Sequence, residues 1–154
     1  MYPPLLTIHS LFRWLVLLSI IYATYNSYKG WFSEKIYTKV DNRVRHWTAT
    51  IAHIQLTIGI WLYFISPIVD YFLNHTSDAM HQREIRFFGL EHSSMMLTAI
   101  IAITLGSSIA KRKPTDKQKF KTMAIWFTIG LVIILVNIPW SFSPLTSRPN
   151  FRFF

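Results

Sequence analysis

Residues 5–18, LLTIHSLFRWLVLL, decide how the whole chain is read. The stretch looks like a helix facing hydrocarbon, yet it carries His9 and Arg13 one helical turn apart. An imidazole and a guanidinium are each costly in such surroundings, so ionisable groups at membrane depth usually face a partner or a cavity. The apolar run extends on both sides to residues 4–28 and recurs at 47–65, 87–109 and 121–140. Each segment is about 20 residues, and at about 1.5 Å rise per residue it spans a hydrocarbon core of about 30 Å. A soluble four-helix bundle would show a polar face on every helix, and these segments mostly do not. The expected fold is an all-α integral membrane four-helix bundle forming a single transmembrane domain over residues 1–154.

Pro3 and Pro4 suit the first turn of a helix, where a missing N–H costs nothing. No Lys or Arg precedes the first apolar run and no small-residue cleavage site follows it, so it is expected to be a retained span and not a signal peptide. Apolar residues make up 51% of the chain and charged ones 15%, with a formal charge of +9 gathered between the spans. The first loop region carries Lys29, Lys35, Lys39, Arg43 and Arg45 against Glu34 and Asp41. The third, KRKPTDKQKFK, carries six basic residues against one acid, whereas the second balances Arg83 and Arg86 with Asp70, Asp78 and Glu84. The excess of basic residues puts loops one and three in the cytoplasm and both termini outside. It also accounts for the net charge without nucleic acid, since basic loops set topology and touch anionic lipid.

There are no cysteines. That excludes disulfide exchange, iron–sulfur clusters, thiolate metal sites and covalent haem attachment.

The intramembrane candidates are therefore His9 and Arg13 on the first span, His53 on the second, and Glu91 and His92 on the third. If the spans enter from outside near residues 4 and 87, His9 and His92 both lie about 7 Å inside at about 1.5 Å per residue. Two imidazoles at matched depth on facing helices suit axial ligation of a haem iron. Arg13 would then balance nearby negative charge, either Glu91 or a haem propionate. The other reading is a set of hydrogen-bonded or snorkelling side chains, with an Arg13–Glu91 pair tying two spans together. On the third span Met95, Met96, Ala99, Ala102, Ile103 and Gly106 lie near the face of His92. Small residues there would admit a neighbouring helix or a flat macrocycle, with Met96 as an adaptable contact. His46, Thr50, His53 and Thr57 share one face of the second span. His53 lies too near the cytoplasmic side to join His9 and His92, so it is the candidate for a second site, a quinone contact, a proton relay or a helix–helix bond.

His9-Ser10-Leu11-Phe12-Arg13-Trp14, His53-Ile54-Gln55-Leu56 with Gly59, Glu91-His92-Ser93-Ser94-Met95-Met96 and Ile138-Pro139-Trp140 together resemble a known group. It is the small four-span inner-membrane proteins of Bacteroidota labelled cytochrome b-like, and the resemblance covers nearly the whole chain. The resemblance implies haem b, one or two per chain, in the bacterial inner membrane, with His9, His53 and His92 as the matching histidines. A looser similarity of architecture links the chain to one half of heme A synthase. Three functions follow as expectations. The first is electron transfer by a b-type haem between quinol and a partner near the outer face. The second is a non-catalytic accessory or assembly subunit of a larger membrane complex. The third and weakest is a proton or metal pathway through the histidines.

Overall fold

The computed structural model describes residues 1–143, 146 and 148. Pro3 and Pro4 open α1 (Tyr2–Phe32), and Ser33 closes it by donating its N–H to the Lys29 carbonyl. A capping box starts α2 (Lys39–Ile65): Asp41 N–H bonds the Thr38 hydroxyl, while the Asp41 carboxylate accepts from Thr38 N–H at 2.9 Å. That carboxylate also takes Asn26 and Lys35, so the buried Asp41 is fully engaged. Pro67 forces the preceding residue out of helical geometry and ends α2. Short helices follow on that side, α3 (Pro67–Asn74), α4 (Thr76–Ala79) and α5 (Arg83–Arg86). A π-helical turn (Phe87–Glu91) joins α5 to α6 (His92–Arg112), and α7 (Asp116–Asn137) completes the chain order.

Four helical stretches, Tyr2–Phe32, Lys39–Ile65, Arg83–Arg112 and Asp116–Asn137, are long and apolar enough to cross a membrane. Their outward faces carry Leu11, Leu15, Leu18, Trp61, Phe64, Leu97, Ile101, Ile129 and Val132, all exposed. Polar Thr7, Thr24, Ser27, Ser107 and Asn137 are turned inward instead. In water so continuous an apolar exterior would mark an aggregation surface. Against lipid it is the stable arrangement, and the chain is an all-α, multi-pass membrane bundle. At 31 residues α1 runs about 46 Å, well past a hydrocarbon core of about 30 Å. Its overhang carries Tyr28, Trp31 and Phe32 stacked together, with the Lys121 ammonium 5.5 Å from the Trp31 ring centre, as an interface anchor.

Each long helix packs on two neighbours, α1 on α2 and α7, α6 on α2 and α7. Helices α1 and α6 are thus diagonal across the bundle. The α6–α7 contact is the most intimate because Gly106 has no side chain: a Cβ there would lie 2.3 Å from Trp126 Cβ. Ala99 and Ile103 meet α7 at Gly130. The small residues of the third span are therefore spent on helix packing, not on room for a macrocycle. Lys117 bonds Glu34 at 2.6 Å, joining the loop of residues 33–38 to the first turn of α7 at one end, and the Lys117 ammonium lowers the Glu34 carboxyl from its ordinary value. Buried Arg45 cross-links α2 to α6 there, donating from Nη1 to the Ser107 carbonyl at 3.0 Å and to its hydroxyl. The fourth span differs from its expected limits of 121–140: the helix begins at Asp116 and stops at Asn137, two residues short of Pro139.

Candidate functional site

Pro139 organises the far end of the bundle. Lacking an N–H, it cannot bond the carbonyl four residues back. That carbonyl, of Leu135, accepts the indole N–H of Trp140 at 2.8 Å instead. The Asn137 carbonyl, orphaned by the helix end, accepts Nδ1–H of His92 at 3.0 Å. A carbonyl can only accept, so Nδ1 of His92 carries the proton and Nε2 of the neutral ring keeps its lone pair. His92 itself is the first residue of α6, immediately after the π turn, a local insertion that shifts helical phase and recurs at functional sites. Tyr63 on α2 donates to the Gly89 carbonyl of that turn at 3.0 Å.

His9 approaches from the diagonal helix. Its ring centre lies 6.4 Å from that of His92, with the planes at 73°. Two residues one turn apart on α2 position it. Gln55 donates to the His9 backbone carbonyl at 3.0 Å. Gly59 leaves space for the ring, since a Cβ there would stand 3.3 Å from His9 Cε1. His9 Nδ1 is buried with no hydrogen-bond partner. Such an orphaned polar atom costs about 1–3 kcal/mol and so calls for an explanation.

Both rings line one cavity of about 500 Å³, together with Arg13, Gln55, Leu56, Tyr63, Met96, Ile100, Ile134 and Ile138. That volume lies within the range of about 300–1,000 Å³ typical of cofactor and small-molecule sites. Its exposed lining residues include Ile60 and Phe64 on α2, Leu90 on the π turn and Leu97 on α6, so its mouth opens between these elements. No carboxylate is among the described lining residues. The donor set is two imidazoles in a largely apolar chamber, with the guanidiniums of Arg13 and Arg148 also on its wall.

The remaining sequence candidates fall into place around this pair. Arg13 lines the cavity, its guanidinium 5.4 Å from the Trp14 ring centre. Glu91 is held by Arg86 at 2.7 Å, so the carboxylate expected opposite Arg13 is already neutralised from α5. Met96 lines the cavity one turn beyond His92. His53 is elsewhere, exposed on the outer surface of α2, with Nδ1 bonded to the Ala49 carbonyl at 2.7 Å and Nε2 to the Thr104 hydroxyl at 3.1 Å. Both of its nitrogens are engaged, and it is not brought to the His9–His92 pair. Thr50 and Thr57, on the same stripe, bond carbonyls of their own helix. Among the described residues no three or more His, Cys, Asp or Glu side chains cluster as a metal site would require.

Gln55, Gly59, Tyr63 and the Asn137 carbonyl are the supporting groups that spacing alone does not single out. Gln55 and Gly59 stand in the motif that carries the resemblance, and Pro139 two residues after Asn137 was the signal for the carbonyl. Comparison of the chain with family models, curated proteins and solved structures finds no match.

Proposed function

We propose that the chain is a b-type haem protein of the bacterial inner membrane, with both termini outside, carrying electrons between quinol and a partner near the outer face. The observation that carries this reading is the pair of imidazoles from diagonal helices, 6.4 Å apart between ring centres, on the wall of one cavity. Two imidazoles on opposite sides of one metal, with bonds of about 2 Å, hold their ring centres roughly 6 Å apart. The spacing therefore fits ligation by both histidines. The chemistry of the donor set agrees, because imidazole suits iron and an apolar chamber suits a macrocycle.

Haem held there would supply one-electron chemistry. His92 offers Nε2 on an imidazole whose other nitrogen is fixed by the Asn137 carbonyl, the support usual for metal-bound histidine. His9 would hold the group from α1. Arg13 would offset a propionate, taking the second of its two expected roles now that Arg86 occupies Glu91. The apolar walls of Leu56, Ile100, Ile134 and Ile138 would favour the less positively charged ferrous state. A mouth facing lipid suits a donor dissolved in the bilayer. His92→Ala tests the assignment: purified and supplied with haem, it is expected to lose the Soret band, and full haem occupancy would overturn the reading.

A further inference from the structure

We infer that the two imidazoles are unequal ligands: His92 is fixed, and His9 is the one a small neutral donor such as carbon monoxide displaces. The inference rests on the haem reading above and concerns which side of the pair gives way.

The difference begins with hydrogen bonding. His92 Nδ1–H is held by the Asn137 carbonyl at 3.0 Å, whereas His9 Nδ1 is buried with no partner. Support of this kind fixes ring orientation and raises ligand basicity, and its loss typically costs 10–100-fold in metal affinity. Mechanical support differs in the same direction. His92 rises from α6, which is locked to α7 at Gly106 and bonded to it again through Asn137 itself. His9 is held at its backbone by Gln55 and its ring rests against Gly59, with no bond to Nδ1. Access agrees as well, since Leu97, Ile60 and Phe64 at the mouth are apolar and offer a small uncharged molecule a route from lipid.

The exchange is balanced and involves no net redox change. The bond between iron and His9 breaks, the imidazole nitrogen keeping its lone pair. Carbon monoxide donates its own lone pair to the vacated position, and the iron stays ferrous throughout.

The test uses the full chain in nanodiscs, supplied with haem, reduced with dithionite and titrated with carbon monoxide. Wild type is expected to give a saturable Soret shift. His9→Ala is expected to keep its haem, to be high-spin when reduced, and to bind carbon monoxide more tightly than wild type, because no internal ligand competes for the position. Added imidazole should return His9→Gly to a low-spin spectrum, a rescue that a purely structural role for His9 would not allow. His92→Ala is expected to lose its haem. Haem-replete wild type that is inert to carbon monoxide, or equal loss of haem from His9→Ala and His92→Ala, overturns the inequality while leaving haem binding intact. Wild type that stays colourless overturns the haem reading and this inference with it.

Discussion

Replacing Gly59 with alanine should separate the stability of the bundle from the quality of its site. Taken alone, alanine favours a helix over glycine by about 1 kcal/mol. The new Cβ would stand 3.3 Å from His9 Cε1, inside the optimum carbon–carbon separation of about 3.5–4.0 Å. The imidazole must then retreat by a few tenths of an ångström. A functional constellation tolerates about 0.5 Å of misplacement, so the displacement uses most of that margin. With no bond on Nδ1 to pull the ring back, haem affinity is expected to fall about 10-fold, the lower end of the range for a disturbed supporting residue. Folding stability should be unchanged or slightly higher. The assay is a haem titration followed at the Soret band, paired with unfolding in mixed detergent micelles. Wild-type haem affinity and an unaltered spectrum in Gly59→Ala would refute the placement of His9 as a ligand.

The same substitution has the opposite sign elsewhere. Gly106→Ala would put a Cβ 2.3 Å from Trp126 Cβ, the rigid root of a side chain, and overpacking of this kind costs about 1–3 kcal/mol; a lowered unfolding midpoint in mixed micelles checks it. Arg45→Ala removes a buried cation that bonds Ser107 and Asn42, and hydrogen bonds to charged groups are worth about 1.5–3 kcal/mol. It lies at the end of the bundle away from the cavity, so stability should fall while haem per folded chain stays at the wild-type level.

Four spans were legible in the sequence because lipid requires apolar runs of a set length, and a run of that length is visible without knowing its neighbours. Matched depth brought His9 and His92 into the same argument for a similar reason: rise per residue is nearly constant along a helix. What depth could not supply is azimuth. Glu91 was one of two expected partners for Arg13, yet it turns to Arg86 across the π turn, an insertion with no sequence signature. His53 sits on a stripe whose direction depends on how α2 is rotated, and Thr104 on α6 takes up its Nε2. The anchor of His92 was the least visible, because it is a backbone carbonyl that any residue at position 137 would provide. Only the proline following it hinted that a carbonyl would be left over.

The most direct measurement of the central claim is an ultraviolet–visible spectrum of the purified wild-type chain supplied with haem, oxidised and then dithionite-reduced, with a pyridine hemochrome count. A single haem per chain with sharp reduced α and β bands is expected from one His9–His92 pair and no second site at His53. A chain that remains colourless would contradict it, leaving His9, Arg13 and His92 as a structural polar cluster in a subunit of some larger membrane complex.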